Sequence, residues 1–321
     1  MNEVLTGVVD GLWRQGDKNL AVRLVPASGG PLPAWQPGAH IDVHLPCGQV
    51  RQYSLTGENA TESYVICVAQ ESASRGGSRY IHQTLRPGQT LTISAPRNLF
   101  ALHGNGPTLL LAAGIGITPL YAMLLQQEAA GVPFVLHYFV KRRENAAFLR
   151  ELSRPFTHGF CVVHCSDEGD SPRQILKNTL FPPDNEQHIY TCGPQGFMTA
   201  VKMAAAEKGW PETHIHSEAF APEISPTEMQ DETTFMITLA SSGERWPVPP
   251  DKSIARVLQE NGVAVPLSCE MGICGACLTP VIDGEVDHRD TVQSAAEKSA
   301  VTQHIALCCS RSRSGNLVID L

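Results

Sequence analysis

Three cysteines lie close together near the C-terminal end of the sequence, in the order Cys269-Glu-Met-Gly-Ile-Cys274-Gly-Ala-Cys277. A fourth, Cys308, comes after about thirty further residues. This C-x4-C-x2-C spacing with one distant partner is the plant-type arrangement of thiolates around a [2Fe-2S] cluster. The sequence therefore predicts a [2Fe-2S] centre with these four cysteines as its ligands.

The loop that carries the first three thiolates must turn sharply, so that its N–H groups approach the cluster sulfurs. Gly272 and Gly275 lie where these turns are required. Structural zinc is the competing interpretation, but zinc sites favour paired C-x2-C units or mixtures of Cys and His. Cys309 is the alternative fourth ligand. We predict Cys308, because ferredoxin-like sequences place a small apolar residue, and not the ligand, just before the polar tail of this segment.

A second set of residues suited to chemistry is Arg51-Gln-Tyr53-Ser54-Leu55. Strand side chains alternate, so Arg51 and Tyr53 would share one face with the Ser54 hydroxyl beside them. An arginine can hold a phosphate through two hydrogen bonds, a tyrosine ring can lie against a flavin, and a serine can donate to the reactive flavin nitrogen. The segment Arg75-Gly76-Gly77-Ser78 adds a second arginine and backbone donors that suit an anion. Each segment alone is equally well explained as a surface arginine in a turn.

A glycine-rich turn, Gly114-Ile-Gly116-Ile-Thr118-Pro119, directly follows a strongly apolar run. We predict that Thr118 caps a helix and that Pro119 is its first residue, which would leave free N–H groups at the end of a strand. Such a helix terminus binds a pyrophosphate. An ordinary tight turn between a strand and a helix is the alternative interpretation.

The elements that position these residues fall into three sections. Short alternating runs separated by turns occupy residues 1 to about 103 and predict an antiparallel barrel. Apolar strands then alternate with helical stretches, which predicts βαβ units around a parallel sheet. A polar, proline-containing stretch at 221–232 indicates a linker, and a third section comes after it.

Composition limits the classes of function. The chain has 321 residues, 42% of them apolar, and a net charge of −8, which argues against a nucleic-acid partner. The most apolar window, 109–117, is too short to cross a bilayer, so we expect no membrane segment. Ten cysteines and a start that lacks a basic, then apolar, signal pattern lead us to expect a cytoplasmic protein without disulfides.

In their order along the chain, these segments and Tyr190-Thr-Cys192-Gly193-Pro194 resemble the phthalate dioxygenase reductase family. The resemblance covers essentially the whole chain. It implies an FMN-binding antiparallel β-barrel domain (1–103), an NAD-binding α/β parallel-sheet domain of ferredoxin reductase type (104–223), a linker (224–233) and a plant-type ferredoxin domain of β-grasp form (234–321).

The resemblance also implies roles for individual residues. FMN would be bound by Arg51, Tyr53, Ser54, Leu55, Arg75, Gly76, Gly77 and Ser78. The nucleotide would be bound by Gly114, Gly116, Thr118, Cys192, Gly193 and Pro194. The residues nearest to hydride transfer would be Tyr53, Ser54, Cys192 and Phe220, the last as the aromatic side chain that covers the flavin. Two positions depart from the family pattern, because Ala113 replaces a glycine and Ser217 replaces a phenylalanine.

The choice of nucleotide depends on the residues just beyond the strands of the parallel sheet. Asp167, after the third strand, could accept hydrogen bonds from ribose hydroxyls and would repel a 2′-phosphate, which favours NADH and makes Asp167 a further cofactor-binding residue. The basic run Lys141-Arg142-Arg143 after the second strand favours a phosphate instead. We predict NADH.

The implied function is transfer of electrons from NADH through FMN and the [2Fe-2S] cluster to a separate Rieske-type oxygenase component. A hydride carries two electrons and the cluster accepts one, so a flavin must stand between them. One alternative is a reductase of the same build that serves a cytochrome or another monooxygenase. Another is a non-catalytic, zinc-stabilised interaction protein.

Two further patterns have plainer interpretations. His214-x-His216 has the strand spacing that puts both imidazoles on one face, but without an acidic or cysteine companion we interpret it as ordinary surface chemistry and not as a metal site. The acidic residues Asp283, Glu285, Asp287 and Asp290 are interpreted as a solvated turn, with a docking patch as the alternative.

Overall fold

The computed structural model describes residues 4–46, 48–71, 76–104, 106–183, 186–220 and 233–321. The chain divides into two compact units, Met1–Glu218 and Ala219–Leu321. The first contains an antiparallel sheet followed by a parallel sheet, and the second contains a mixed sheet. The domain limits at 103 and 223 stay predictions, and the predicted linker lies outside the described residues except for Thr233.

Seven strands of the first unit form one antiparallel sheet. They are β1 (Val4–Gln15), β2 (Asn19–Pro26), β3 (Ala39–His44), β4 (Val50–Ser54), β5 (Tyr64–Ala69), β6 (Thr90–Ser94) and β7 (Arg97–Asn98). Their order is β4-β3-β6-β1-β2-β5, with β7 paired to β3. A bridge between Leu55, directly after β4, and Ile66 in β5 joins the two end strands. The sheet therefore closes into the predicted antiparallel barrel.

The barrel interior is filled by side chains that lie two residues apart along each strand. Val22 and Leu24 in β2 are buried, as are Tyr64, Ile66 and Val68 in β5. Residues of one strand face share a period of two, so these positions point inward together. Burial of each such side chain contributes roughly 1.5–3 kcal/mol. The interior fixes β4, which carries the predicted flavin residues.

Five parallel strands come next in the same unit. They are β8 (Thr108–Ala113), β9 (Phe134–Val140), β10 (Gly159–Cys165), β11 (His188–Cys192) and β12 (Ile215–Glu218). The helices of this unit are α1 (Gly77–Gln83), α2 (Ile117–Ala130), α3 (Leu149–Leu152), α4 (Pro172–Thr179) and α5 (Gln195–Glu207). Every pair of neighbouring strands is parallel, in the order β10-β9-β8-β11-β12, as the α/β pattern predicts.

The strand order reverses next to β8. The chain moves outward from β8 to β10 on one side and returns to β11 on the other. Ligands of open parallel sheets bind beyond the carboxyl ends of the strands at such a switch point, because the connections there leave in opposite directions and open a crevice. The turn at Gly114–Gly116 comes directly after β8, and the segment 193–194 directly after β11. The predicted nucleotide-binding residues therefore lie at the expected crevice.

The second unit is a mixed sheet with short helices. Its elements are β13 (Phe235–Leu239), β14 (Arg245–Val248), α6 (Ile254–Glu260), β15 (Leu278–Asp283), β16 (Val286–Asp287), α7 (Ala295–Lys298), β17 (His304–Ala306), β18 (Arg311–Ser312) and β19 (Asn316–Ile319). The main sheet has the order β14-β13-β19-β15-β17, with β13 and β19 parallel at its centre. Buried apolar residues of α6 belong to the core of this sheet, as expected for a β-grasp ferredoxin domain.

Arg311 is a buried cation in this unit, with only 6% of its surface exposed. Its guanidinium lies 4.9 Å from the centre of the Phe235 ring. It donates hydrogen bonds of 3.2–3.4 Å to the backbone carbonyls of Thr233, Val248, Pro249 and Lys252. These acceptors compensate the cost of burying the charge. Arg311 thus ties β18 to the residues just before β13 and just after β14.

The apolar window at 109–117 forms β8, all six of whose residues are buried, and the glycine turn after it. Burial of this strand accounts for the apolar composition of the window. Within the described part of the chain, no helix is both long and apolar enough to span a membrane.

Candidate functional site

Strand β4 presents the residues predicted to bind the flavin. It pairs with β3, so that Ser54 lies opposite His40 and Tyr53 opposite Ile41. Ser54 and Leu55 are buried, whereas the side chains of Arg51 and Tyr53 are only half-buried. The barrel therefore fixes the backbone of this strand and leaves the arginine and the aromatic ring partly accessible to a ligand.

Arg51 lies against the start of α1. Its guanidinium donates to the Val50 carbonyl at 2.7 Å and to Gln49 Oε1 at 2.9 Å. A Cβ atom on Gly77 would lie 2.9 Å from Arg51 Cγ, and Gly76 has a φ of +116°. Glycine is thus needed at 77 for the chain to approach the arginine this closely, and at 76 because residues with a side chain rarely adopt that φ. A guanidinium beside the first N–H groups of α1 suits a terminal phosphate, as FMN carries. Arg75 lies outside the described residues.

The two turns at the switch point touch each other through glycines. A Cβ atom on Gly116 would lie 2.2 Å from the carbonyl oxygen of Cys192. A Cβ atom on Gly193 would lie 2.8 Å from the Ala113 Cβ. Any larger residue would force the ends of β8 and β11 apart. The crevice therefore has a backbone floor, which a pyrophosphate can approach closely.

Helix α2 starts earlier than the sequence indicates. It begins at Ile117 with Gly116 as its N-cap, because a 3₁₀ turn over Gly114–Gly116 runs directly into it. The prediction that Thr118 caps the helix and Pro119 opens it is wrong. Thr118 is the second helical residue, it is buried, and its hydroxyl donates to the Ile115 carbonyl at 3.0 Å. An anion bound at this terminus would therefore contact backbone N–H groups.

Three strands bring a hydroxyl, a thiol and a carboxyl together where the barrel meets the switch point. The Ser54 hydroxyl of β4 donates to Glu218 Oε2 of β12 at 3.4 Å. Glu218 is the register partner of Cys192, the last residue of β11. Burial raises the pKa of Glu218 to about 8, against a smaller lowering by the Ser54 hydrogen bond. Burial and the nearby Glu218 hold the pKa of the Cys192 thiol well above its usual value. Both groups are therefore largely uncharged at neutral pH.

Glu218 is the residue that sequence reasoning missed. In the sequence it is only part of the segment that leads to Phe220, and nothing nearby distinguishes it from a surface carboxylate. Its role becomes visible through the pairing of β11 with β12 and through contact with β4, which is far away in the sequence. Phe220 lies two residues beyond the end of β12 and is half-buried. Its place over the flavin stays a prediction.

The barrel and the parallel sheet are also joined at the tip of the β1–β2 hairpin. Gly16 has a φ of +70°, and a Cβ atom there would lie 2.6 Å from the carbonyl oxygen of Glu144. The backbone N–H of Phe148 donates to Gln15 Oε1 at 2.9 Å in a buried position. These contacts hold β1 against the segment between β9 and α3. They fix the barrel relative to the crevice at a second point.

Asp167 lies in the exposed turn after β10, at the same edge of the sheet as the glycine turn. Its backbone N–H donates to the Lys141 carbonyl at 3.1 Å, so the turns after β9 and β10 are neighbours. Arg143 lies 3.4 Å from Glu168 in an exposed ion pair. Part of the positive charge that would favour a 2′-phosphate is thereby offset. The carboxylate of Asp167 is accessible to a ribose.

The four predicted ligand cysteines converge in the second unit. The thiol of Cys269 is close enough to those of Cys274 and Cys308 for these neighbours to shift its pKa, and Cys308 is likewise close to Cys277. Within the described residues, no three of these sulfurs lie within 4.8 Å of one another. Four sulfurs around a single zinc ion would all be about 3.8 Å apart, given a Zn–S bond of about 2.3 Å. The open arrangement fits two irons better than one zinc.

Backbone N–H groups of the loop point at these sulfurs, as a cluster of this kind requires. Gly272 donates to Cys308 Sγ at 3.2 Å, and Ala276 to Cys274 Sγ at 3.4 Å. Gly272 and Gly275 have φ values of +73° and +71°, which confirms the turns that the sequence predicts. Glu270 also adopts a left-handed conformation, with a φ of +54°, a strained one for a residue with a side chain.

Cys309, the alternative fourth ligand, has different neighbours from Cys308. A Cβ atom on Gly272 would lie 2.4 Å from Cys309 Sγ. The Cys309 thiol lies 3.8 Å from Ser310 Oγ and 4.0 Å from the Ala306 carbonyl oxygen. The Gly272 amide donates to Cys308 and not to Cys309. This favours Cys308 as the fourth ligand, and the assignment stays a prediction.

The acidic run after the cluster loop is only partly as expected. Asp283 and Glu285 are exposed, but Asp287 pairs with Arg289 and Arg313, and Asp290 is buried. The acidic run is therefore not a solvated turn throughout.

The histidine pair acquires companions that are distant in the sequence. His188 Nδ1 lies 2.9 Å from His216 Nε2. The ring of His103 stacks on that of His216, and the ring of His214 stacks on that of His188. Within the described residues, no third ligand atom completes a metal-binding group there. Burial lowers the pKa of His216 to about 4, so this imidazole is uncharged at neutral pH.

Comparison with known proteins agrees with this arrangement. Residues 237–313 match the 2Fe-2S iron-sulfur cluster binding domain. The chain is 42% identical over 305 residues to vanillate O-demethylase oxidoreductase of Pseudomonas sp. strain HR199, covering 94% of this chain and 95% of that protein. The solved structure of phthalate dioxygenase reductase matches with a TM-score of 0.74 and 33% identity, over 99% of this chain and 98% of that one.

An intact type IV self-sufficient cytochrome P450 monooxygenase matches with a TM-score of 0.84 and 37% identity over 99% of this chain, which spans 41% of the length of that protein. The three sections of the chain, the barrel, the switch-point sheet and the cluster unit, therefore correspond in full to a known reductase. The predicted fold class and cofactors, a flavin of the FMN type and a [2Fe-2S] cluster with a pyridine nucleotide as donor, are confirmed. The chain belongs to the phthalate dioxygenase reductase family of flavin and iron-sulfur oxidoreductases.

Proposed function

We propose that this protein takes electrons from NADH and delivers them singly to a separate Rieske-type oxygenase component. The observation that carries the proposal is the meeting of Ser54, Cys192 and Glu218 where the barrel adjoins the switch point. A flavin held on β4 and a nicotinamide held beyond β11 would face each other at that place. The names of the relatives, an O-demethylase oxidoreductase and a dioxygenase reductase, support an oxygenase as acceptor.

In this mechanism the protein supplies orientation and not acid–base catalysis. Acceptance of a hydride and release of single electrons is the chemistry that FMN would supply when bound. Ser54 would donate to the flavin ring, and Tyr53 would lie along it. Cys192 and the two glycines at which the turns touch, Gly116 and Gly193, would set how deeply the nicotinamide enters the crevice. Because Cys192 and Glu218 are both largely uncharged, they would place no charge beside the reacting carbon. The contribution of the protein would be to hold the nicotinamide and the flavin close together in the correct orientation.

Arg51 and the start of α1 would hold the FMN phosphate. The guanidinium is half-buried and braced by Gln49, so little side-chain freedom would be lost when it binds. At the other end of the path, Cys269, Cys274, Cys277 and Cys308 would hold the cluster.

NADH is proposed as the donor because of Asp167. An exposed carboxylate at the edge of the crevice would repel a 2′-phosphate. Asp167→Ser should raise the efficiency with NADPH relative to NADH by roughly tenfold, if about 1.4 kcal/mol of repulsion is removed. Steady-state kinetics with both nucleotides measure this ratio. Glu168→Gln is the comparison variant, since it removes a neighbouring charge and frees Arg143; a rise of equal size there would assign discrimination to the Arg143–Glu168 pair and not to Asp167. An unchanged ratio in Asp167→Ser would assign discrimination to another residue.

The raised pKa of Glu218 predicts a pH dependence of stability. The carboxyl has a pKa of about 8 in the folded protein and about 4.5 when unfolded. The folded state therefore binds the extra proton between these values, and the free energy of unfolding should fall as pH rises through that window. From pH 6 to pH 9 the free energy of unfolding of the wild type should fall by on the order of 1–2 kcal/mol more than that of Glu218→Gln, allowing for partial solvent access. Denaturant unfolding at both pH values measures it, and an equal pH response of the two proteins would contradict it.

An acceptor assay tests the proposed function. The purified protein with NADH should reduce a Rieske-type oxygenase component faster than it reduces a cytochrome P450 haem domain. A P450 acceptor is the second candidate, favoured by the higher TM-score with the P450 monooxygenase. Faster reduction of the haem domain would replace the Rieske assignment by this candidate. Failure of NADH to reduce the flavin would reject both.

A further inference from the structure

The acidic run after the cluster loop contains a carboxylate with a different environment from its neighbours. The side chain of Asp290 is fully buried, with 0% exposed, whereas Asp283 and Glu285 are exposed. Buried carboxylates are costly unless they are paired and hydrogen-bonded. The partners of Asp290 must therefore offset the cost of its burial.

The Asp290 carboxyl has several hydrogen-bond donors and one lysine among its neighbours. The backbone N–H of Gln293 donates to Oδ2 at 3.0 Å and its side-chain amide to Oδ1 at 3.1 Å. The Ser310 hydroxyl donates to Oδ1 at 3.5 Å, and Lys298 Nζ lies 3.9 Å from Oδ2. His288 Nδ1 is 3.6 Å from Oδ1. The hydrogen bonds from Gln293 and Ser310 compensate the cost of burying this carboxyl group. Lys298 also donates to the backbone carbonyl of Asp290, which fixes the residue from a second side.

This carboxylate belongs to a residue that lies directly against the turn of the cluster loop. A Cβ atom on Gly272 would lie 3.0 Å from Asp290 Cα. The Gly272 carbonyl accepts hydrogen bonds from the two residues after Asp290, Thr291 at 3.0 Å and Val292 at 3.3 Å. The Gly272 N–H in turn donates to Cys308 Sγ at 3.2 Å. Asp290 thus adjoins the loop of the first three cysteines.

The same carboxylate also reaches the segment of the fourth cysteine. Ser310 lies two residues after Cys308, and its hydroxyl both donates to Asp290 and accepts from the Arg289 N–H at 3.1 Å. The first three cysteines and Cys308 come from parts of the chain that are about thirty residues apart. Asp290 therefore joins the two parts of the chain that supply the ligands.

We propose that Asp290 is a positioning residue of the [2Fe-2S] centre. It holds the Gly272 turn against the Cys308 segment, and it places a buried negative charge beside the cluster. The inference rests on the cluster and on none of the proposals about donor or acceptor. Residues behind metal ligands orient them and tune the metal through hydrogen bonds and charge.

Two measurable effects are expected from this role. An added electron is disfavoured beside a fixed negative charge, so removing that charge should raise the reduction potential of the cluster. Weaker attachment of the Gly272 turn to the Cys308 segment should speed loss of the cluster, by about tenfold for a residue that supports metal ligands. Asp290→Asn preserves the shape and one carbonyl acceptor, but it removes the charge together with one acceptor. Ser310→Ala removes one donor without changing the charge and isolates the attachment.

The test uses the full chain with its cofactors and needs neither NADH nor an oxygenase. Potentials are measured by reductive titration followed by electron paramagnetic resonance of the reduced cluster, and cluster loss by the decay of its visible absorption with a chelator present. The matched control is Glu285→Gln, which removes the same charge from an exposed position of the same run.

We expect Asp290→Asn to raise the potential clearly more than Glu285→Gln does. Ser310→Ala should lose the cluster faster than the control while its potential changes less than that of Asp290→Asn. If Asp290→Asn does not retain a cluster, Lys298→Met supplies the second variant, because removing the opposite charge should lower the potential. A potential in Asp290→Asn equal to that of Glu285→Gln, together with equal rates of cluster loss in all variants, would overturn the inference.

Discussion

Cys274→Ser should leave reduction of the flavin by NADH intact and reduce electron transfer to the protein acceptor by at least about 100-fold. Serine oxygen is a poor substitute for a thiolate on iron, so the cluster should be lost or disrupted. The predicted flavin residues of β4 and α1 lie in the other compact unit, Met1–Glu218. Stopped-flow reduction of the flavin and steady-state transfer to the acceptor measure the two steps separately.

Cys309→Ser is the matched control for this experiment. It changes an adjacent thiol in the same segment as Cys308, and both activities should stay near those of the wild type if Cys308 is the ligand. An artificial acceptor that takes electrons directly from flavin should remain active in Cys274→Ser. Loss of flavin reduction in a folded Cys274→Ser protein with FMN bound would contradict the order NADH, FMN, cluster, acceptor. Undiminished transfer to the acceptor would contradict it as well.

Arg51→Ala should weaken FMN binding by about 10- to 100-fold, since hydrogen bonds to a charged group contribute about 1.5–3 kcal/mol. The variant should retain its iron. Flavin release and quantitation, with a fluorescence titration of the flavin-free protein, measure the dissociation constant. Arg23→Ala is the matched control, because Arg23 is a barrel arginine that is exposed and paired with Asp10.

The double variant of Arg51→Ala and Arg75→Ala should be weaker still, because the sequence predicts a second cation at the same phosphate. An FMN dissociation constant equal to that of the wild type in the double variant would remove both arginines from the phosphate site. An effect of the same size in Arg23→Ala would show that the loss reflects the barrel as a whole.

Features that depend on short stretches of sequence could be predicted well. Alternating runs such as 20–25 and 64–68 form barrel strands, because a period of two is set by the strand itself. The cysteine spacing and the left-handed glycines at 272 and 275 are set by the local demands of one loop. The glycine turn after β8 lies in the predicted place, and only the helix start differs, since a 3₁₀ turn can run into a helix without a side-chain cap.

Features that depend on pairing between distant segments could not be predicted. Glu218 lies in β12, next to Cys192 of β11 and Ser54 of β4, and its pKa is raised because it is buried there. Asp290 resembles its exposed neighbours in the sequence and differs only because Ser310 and Gln293 enclose it. His216 likewise acquires His188 and His103 as neighbours only when the chain is folded. Type and spacing alone do not determine such contacts.

The buried guanidinium of Arg311 bears on how this ferredoxin unit can be moved between proteins. One of its acceptors is the carbonyl of Thr233, which precedes the first strand, β13. Arg311 itself lies only three residues after Cys308. A unit excised from residue 234 onward would lack that carbonyl, whereas a unit excised from residue 233 or earlier would keep it. Excised units that differ only in this one residue should therefore differ in stability.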